Sequence, residues 1–243
     1  MSIYPHLEHA PITEALIDIR IKQISDDDGS ITKEMTEAII EGYPSNDELR
    51  LRGIEIKFPA IETETQNIFA GQRFTSSDNK QVFQARLNGF TFSRLEPYLD
   101  WENLVSNAHK LWPQYLELMG NVQVIRIAVR YINRIEVPVK SKLDDYFVAL
   151  PRRPEPVPDN LISFLNRTAV RFDEEGATAL ITQSMPKVEP DLASIIFDID
   201  VFKETNYDST SEDLWADLEK LRNIKNLVFF ESLTSKAIDT YKD

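Results

Sequence analysis

Residues 123–137, with the sequence QVIRIAVRYINRIEV, constrain the fold more than any other part of this chain. The run is long and rich in β-branched residues, which is typical of a strand within a sheet. Side chains alternate between the two faces of a strand, so Arg126, Arg130 and Arg134 are predicted to share one face. The opposite face would then be apolar and carry Ile125, Ile127, Val129, Tyr131 and Ile135. The sequence therefore predicts a sheet packed on one side and lined by arginines on the other.

The arginine-rich strand belongs to an acidic protein. The 243-residue chain has a formal net charge of −13, whereas residues 121–155 carry 7 Lys and Arg against 4 Asp and Glu. General affinity for a nucleic-acid backbone depends on many cationic contacts, so nucleic acid is not the favoured partner. A basic protein would be attracted to the acidic flanks. A single local anion site is compatible with this charge distribution.

Composition and the absence of known motifs exclude several classes of functional site. The absence of cysteine excludes a disulfide framework and a thiolate zinc site. The chain has no glycine-rich phosphate loop, nucleophile elbow or zinc-protease motif. We therefore expect no cofactor, and a binding protein rather than an enzyme. No apolar run reaches the length of a membrane span and the N-terminus lacks a signal-peptide pattern, so we expect a cytoplasmic protein without a membrane partner.

The elements before the arginine strand predict an α+β fold. A first strand over residues 14–23 precedes a short helix that Ser30 would cap, and four short strands follow. Asn88-Gly89 is predicted to form the two-residue turn of a hairpin between residues 81–87 and 90–95, because both positions favour positive φ. Such an order is typical of mostly antiparallel sheets with their helices on one side.

A long helix is predicted to follow the hairpin, over residues 101–119. Asp100 is placed to cap it, and Pro113 should kink or split it. Its apolar stripe is broad and would pack on the sheet through Trp101, Leu104, Val105, Ala108, Leu111, Trp112, Tyr115 and Met119.

A proline-rich stretch divides the chain. Residues 151–158 contain four prolines and favour an extended linker between two lobes, over residues 1–150 and 159–243. Each lobe could be ferredoxin-like, although no repeat connects the halves. In the second lobe, Ser209 and Glu212 form a capping-box pattern ahead of a helix. Residues 227–230 are apolar enough for a strand, and Thr234 is predicted to cap a C-terminal helix.

Two interpretations of the arginines remain open. They could form an ion-pair ladder with Asp18, Asp198 or Asp200 on neighbouring strands. Alternatively, Arg126, Arg130 and Arg134, together with Arg20 of the first strand, could bind a phosphate or carboxylate ligand through guanidinium forks.

Asp198 and Asp200 offer a second kind of site. They share one face of a predicted strand in the sequence IIFDIDVF, and a D-x-D pair of this kind can hold Mg²⁺ for phosphoryl transfer. The alternative is that both carboxylates alternate with core residues on a half-exposed sheet.

Three motifs together resemble an uncharacterised, sporadically distributed prokaryotic protein family of similar length. They are APITEALIDIR at residues 10–20, FSRLEPY at residues 92–98 and VRYINRI at residues 129–135. The resemblance implies no assigned activity, and it implies an accessory gene of the kind found on mobile elements or in defence and toxin–antitoxin neighbourhoods.

The sequence therefore favours a non-enzymatic binding or regulatory protein of such an accessory system, acting through a protein partner. The alternatives are a protein that binds nucleotide or RNA phosphate through the arginine strand and a metal-dependent phosphotransferase using Asp198 and Asp200. The oligomeric state stays open.

Overall fold

A computed structural model of the protein describes residues 4–24, 34, 37, 42–57, 62–150, 156, 161–186 and 191–242. Within these residues, nine antiparallel strands form one sheet and three α-helices accompany it, which confirms the predicted α+β class. The strands are β1 (Ile12–Ile21), β2 (Ser45–Lys57), β3 (Glu62–Thr75), β4 (Gln81–Arg86), β5 (Gly89–Leu95), β6 (Gln123–Pro138), β7 (Phe164–Phe172), β8 (Ala177–Met185) and β9 (Leu192–Asp208). The helices are α1 (Trp101–Met119), α2 (Asp213–Ser232) and α3 (Ser235–Asp239).

The arginine strand β6 lies near the centre of the sheet. The strand order is β2-β3-β4-β5-β1-β6-β9-β8-β7. Strands of both predicted lobes lie in this sheet, where β6 pairs with β9. The lobe boundary stays a prediction. The proline-rich stretch falls outside the described residues, except for Pro156. The helix predicted after Ser30 also falls outside them, except for Glu34 and Glu37, and these two residues are helical.

One face of the sheet forms the hydrophobic core. Strand β1 contributes Ile17, Ile19 and Ile21 to this core, and all three are buried. Helix α1 packs on β5 and β1, and α2 packs on β9, β6 and β8. The predicted stripe of α1 is buried apart from the half-buried Val105, at Trp101, Leu104, Ala108, Leu111, Trp112, Tyr115 and Met119.

Helix α1 begins and ends where the sequence predicted. The Asp100 carboxylate accepts a hydrogen bond from the backbone N–H of Asn103, and Gly120 follows the last turn with a φ of 72°. The helix passes through Pro113 without a break, so it does not split there, and the alternative that Pro113 kinks the helix stays a prediction.

The predicted hairpin forms, but its turn lies one residue earlier than expected. Arg86 pairs with Gly89, so the loop residues are Leu87 and Asn88 rather than Asn88 and Gly89. Gly89 belongs to β5, where a Cβ would lie 2.5 Å from the backbone oxygen of Ile19. The glycine is therefore required by the close approach of β1 rather than by the turn.

A bulge near the start of β6 changes the predicted face of one residue. The pairing with β1 and with β9 shifts between Val124 and Arg126. As a result Val124 is buried and Ile125 is 42% exposed, on the arginine side. The prediction that Ile125 lies on the apolar face is therefore wrong.

Helix α2 differs from the prediction in two ways. It runs unbroken to Ser232, so residues 227–230 are helical and not a strand. Ser209 does not cap it, because its hydroxyl donates to Asn121 instead and the helix begins four residues later. Thr234 does cap α3, as predicted, by accepting a hydrogen bond from the backbone N–H of Ala237.

A buried carboxylate, Asp217, attaches α2 to β9. It accepts hydrogen bonds from Lys203 and from the Tyr207 hydroxyl of β9, and from Lys220 of its own helix at 2.7 Å. Burial alone would raise the pKa of Asp217, but these hydrogen bonds lower the pKa to about 2.

Candidate functional site

The register of four strands brings three arginines into one row on the polar face of the sheet. Arg86 of β4 lies opposite Gly89 of β5, Gly89 lies opposite Arg20 of β1, and Arg20 lies opposite Arg126 of β6. Neighbouring strands are about 4.8 Å apart. Since Gly89 has no side chain, the Arg20 side chain can lie against it, with its Cδ atom 3.2 Å from the position that a Cβ of Gly89 would take. The three guanidinium groups can therefore converge.

They converge on Asp18, which lies one row further along β1. The Asp18 carboxylate accepts hydrogen bonds from Arg20 Nε at 2.9 Å, Arg86 Nη2 at 2.6 Å and Arg126 Nη1 at 3.2 Å. The Thr91 hydroxyl donates a fourth at 2.8 Å. We call Arg20, Arg86, Arg126 and Asp18 the arginine cluster.

Asp18 remains ionised in this setting. Its side chain is only 8% exposed, and burial alone would raise its pKa. The positive charges of Arg86 and Arg20 and the hydrogen bonds from Arg86 and Thr91 outweigh burial and lower the pKa of Asp18 below its usual value. One buried negative charge is thus shared by three cations.

A second group of ion pairs continues along β6 and β9. Arg130 donates two hydrogen bonds to Asp198, from Nε at 2.8 Å and Nη2 at 2.6 Å. Arg126 also contacts Asp200, at 3.4 Å between Nη2 and Oδ2. The predicted ion-pair ladder therefore exists for Arg126 and Arg130, and all three predicted acids take part.

Asp200 makes the longest ion pair of this ladder, at 3.4 Å from Arg126. Burial raises the pKa of Asp200 above its usual value, and the nearby charges of Asp198 and Asp18 raise it further. Arg126 and Arg130 offset this only in part. The hydrogen bond from Arg130 to Asp198 in turn raises the pKa of Arg130, which stays a cation.

Arg134 is not part of this arrangement. Its side chain is exposed, and it lines a separate depression of about 570 Å³ with Glu136 and Tyr241. Among the described residues it makes no ion pair within 4.0 Å. The structure thus brings together Arg20 and Arg126 of the predicted arginines, adds Arg86, and leaves Arg134 apart.

The structure gives the D-x-D pair a different neighbourhood from a metal site. Asp198 and Asp200 do share a strand face, opposite the buried Phe197, Ile199 and Val201. Each carboxylate faces an arginine, and in the described part of the chain no three His, Cys, Asp or Glu side chains form a group suited to a metal.

An open groove of about 920 Å³ runs over the arginine cluster. Its charged lining consists of four arginines, Arg20, Arg86, Arg126 and Arg130, and three acids, Asp18, Asp200 and Glu204. Polar side chains that include Gln84, Asn88 and Thr205 complete the wall. The groove is within the size range of small-molecule sites. Arginines outnumber acids in its lining by one, with Arg130 paired to Asp198, although the protein is strongly negative.

Arg20 and Arg126 keep accessible hydrogen-bond donors, since their side chains are 37% and 26% exposed. Each guanidinium has five N–H donors, and the contacts above engage only a few of them. The Nε atom of Arg86 has no hydrogen-bond partner among the described residues, but it is buried and therefore closed to a ligand. The Arg126 guanidinium lies 4.4 Å from the ring centroid of Phe202, which holds its plane in place. The arrangement can therefore donate several directed hydrogen bonds to an anion.

Comparison with known proteins adds no relative: no family model matches the sequence, and no curated protein matches it significantly. None of the described helices is long and apolar enough to cross a membrane.

Proposed function

We propose that this protein is a non-catalytic binding protein whose arginine cluster holds a small phosphate-bearing ligand, such as a nucleotide. The observation that carries the proposal is the ratio of three guanidinium groups to one buried carboxylate at the wall of the groove. Arginine forks match the geometry of phosphate oxygens and bind them through two parallel hydrogen bonds.

Asp18 has a positioning role in this proposal. Three guanidinium groups would repel one another and turn toward water without a shared anion. The Asp18 carboxylate holds them together, and Asp200 also contacts Arg126, so two carboxylates neutralise only part of the charge of the three groups. A phosphate in the groove would provide the remaining negative charge. The site is thus arranged before the ligand arrives, which lowers the entropic cost of binding.

The charge distribution favours a small ligand over RNA. An RNA backbone needs a cationic track along many phosphates, and its affinity falls steeply with salt. Beyond the arginine cluster, Arg130 is paired with Asp198, and Glu204 lines the groove. The cationic region is therefore one or two phosphates long.

Calorimetric titration with inorganic pyrophosphate tests this proposal. Arg20→Gln removes a guanidinium whose side chain is 37% exposed, and Arg134→Gln removes an exposed arginine of the same sheet face outside the groove. We expect the first change to weaken binding by about tenfold or more, because charge-assisted hydrogen bonds contribute about 1.5–3 kcal/mol. The second should leave the affinity unchanged.

Three outcomes would overturn the proposal. One is the absence of pyrophosphate binding at millimolar concentration, and another is equal weakening by both changes. The third is preferential binding of single-stranded RNA over a mononucleotide with a steep salt dependence, which would assign the groove to nucleic acid.

A protein partner is the second candidate function, and strand β7 favours it. In the described part of the chain, β7 ends the sheet, and its side chains Leu165 and Val170 are exposed. An exposed edge strand can pair with an extended segment of another protein. The net charge of −13 would attract a basic partner. Membership of an accessory system, which the motif resemblance implies, stays a prediction.

Affinity purification from the native host tests the second candidate. Leu165 is 74% exposed, so Leu165→Lys should keep the fold and abolish capture of a partner bound at the edge. Leu99→Lys, at an exposed apolar position between β5 and α1, is the control and should retain capture. Retention by both variants would exclude the β7 edge.

A further inference from the structure

A small cavity on the other side of the sheet contains an unusual lysine. The cavity, of about 270 Å³, lies between the N-terminal segment at residues 4–12, the start of α1 and one face of α2. Much of its wall is apolar or aromatic and includes Leu7, Tyr98, Trp101 and Phe230. Lys225 of α2 extends into this wall. The cavity is separate from the groove over the arginine cluster.

Lys225 is buried, and no counterion lies beside it among the described residues. The residue is 8% exposed, and in that part of the chain its Nζ has no carboxylate within 4.0 Å. Nζ lies over the ring of Tyr131, whose centroid is 3.8 Å away. By contrast, Lys203 and Lys220 both pair with Asp217. A cation–π contact stabilises an ammonium by less than its burial without a paired charge costs.

The surroundings of Lys225 favour the neutral amine. Burial lowers the pKa of Lys225 to about 7, and the positive charge of Arg222 on the same helix contributes. The other titratable groups around the cavity are Tyr4 and His6 of the N-terminal segment, Asp100 and Glu102 at the start of α1, and Tyr98 and Tyr131.

Two of those groups are phenols, and the amine lies over the ring of one of them, Tyr131. The hydroxyl oxygens of Tyr98 and Tyr131 lie 3.1 Å apart and share a hydrogen bond. Burial raises the pKa of both phenols, so they stay protonated. At neutral pH, a large fraction of Lys225 is therefore an uncharged amine at the wall of this cavity.

We propose that Lys225 is the nucleophile of a carbonyl-binding site, which captures a small aldehyde or ketone as an imine. The Nζ lone pair forms a bond to the carbonyl carbon, and the carbonyl oxygen gains a proton to give a carbinolamine. The carbon–oxygen bond then breaks, water leaves with both amine hydrogens, and a carbon–nitrogen double bond remains. No oxidant or reductant takes part, and hydrolysis reverses the step.

The cavity also indicates the class of carbonyl compound. Arg222 lies three residues before Lys225 on α2, so the two side chains share one face of the helix, and both line the cavity. Arg222 contacts Glu219 at 2.9 Å and keeps other donors for a ligand carboxylate. A small 2-oxo acid carries a carboxylate next to its carbonyl and matches this pair. This assignment is independent of the arginine cluster.

Reductive trapping with glyoxylate tests the assignment. The folded protein is treated at neutral pH with a small excess of glyoxylate and sodium cyanoborohydride, and the modified lysines are mapped by peptide mass spectrometry. We expect Lys225 to be carboxymethylated before any exposed lysine, with a half-maximal rate near pH 7. Lys220→Gln, a control on the same helix, should be labelled like the wild-type protein.

Labelling spread over exposed lysines would overturn the assignment, as would a rate that rises only toward the pKa of an ordinary lysine, about 10.4. Lys225→Met should remove the fast label, and its melting temperature should not fall, because methionine fills the same space without a charge. Should that variant fail to fold, the map and pH profile of the wild-type protein decide the question alone.

Discussion

Replacement of Asp18 by Asn should destabilise the protein more than any other single change on the polar face. Asparagine keeps the shape of the side chain but removes the charge that Arg20, Arg86 and Arg126 share. Its amide group also places N–H donors opposite guanidinium donors. The perturbation therefore tests whether the arginine cluster is held together by one buried carboxylate.

The size of the effect follows from burial. The side chains of Asp18 and Arg86 are 8% and 15% exposed, so water cannot replace the lost carboxylate. Removing one partner of a buried ion pair costs about 3–5 kcal/mol, because the remaining charge stays buried. For a protein of this size we expect a fall in melting temperature on the order of 10 °C.

Asp198→Asn provides a matched control. Asp198 also binds an arginine through two hydrogen bonds, but the side chain of that partner, Arg130, is 42% exposed. Water can therefore solvate the arginine after the change, and we expect a loss of about 1 kcal/mol or less.

Urea unfolding of both variants, with and without inorganic phosphate, is the assay. Phosphate binds the folded state, so it should raise the unfolding midpoint of the wild-type protein, and it should raise that of Asp18→Asn less, because the variant lacks the carboxylate that positions the guanidinium groups. Equal costs for Asp18→Asn and Asp198→Asn, below about 1 kcal/mol, would refute the reasoning, as would a phosphate effect in Asp18→Asn as large as that in the wild-type protein.

Three further predictions follow from the structure. Asp200→Asn should change the unfolding free energy at pH 7 by less than about 1 kcal/mol, because the pKa of Asp200 is already raised in the folded protein. In thermal unfolding, Mg²⁺ should stabilise neither this variant nor the wild-type protein. A saturable Mg²⁺ effect that is lost in the variant would instead support the metal site. Gly89→Ala should lower the melting temperature much more than Gly120→Ala does, because a Cβ at residue 89 would meet backbone atoms of β1 and a Cβ at residue 120 would meet none. Equal effects of the two changes would contradict the register of β5 on β1. Asp217 has a pKa lowered to about 2, so the stability that it contributes is present above the unfolded-state pKa near 3.9 and is lost as the pH falls through 2. Asp217→Asn should therefore flatten the pH dependence of the unfolding free energy between about pH 4 and pH 2. An unchanged slope would contradict the pairing of Asp217 with Lys203 and Lys220.

Alternation predicted much of the fold because it depends only on neighbouring residues. The buried face of β1, the arginine face of β6 and the apolar stripe of α1 all follow from periods of two and 3.6 residues. The failures occur where tertiary contacts decide. Ile125 lies on the polar face because a bulge shifts the pairing of β6 with both β1 and β9. Residues 227–230 are helical because α2 continues to Ser232 while it packs on the sheet.

The candidate site was predictable only in part for the same reason. Alternation places Arg20 on the face of Asp18, and Arg126 on one face of β6. Arg86 enters the cluster only through the β4–β5–β1 register, which no local pattern reveals. The one available signal was Gly89, which marks a close approach of two strands. Lys225 looks like a surface lysine in the sequence, and its burial depends on the N-terminal segment and α1.

Crystals soaked in selenate test the central claim most directly. Selenate has the shape and charge of a divalent phosphate-like anion, and its anomalous scattering locates it without ambiguity. The account predicts a peak in the groove within hydrogen-bond distance of Arg20, Arg86 and Arg126. A crystal with this groove open to solvent that shows no peak there, or shows selenate only at Arg134, would contradict it.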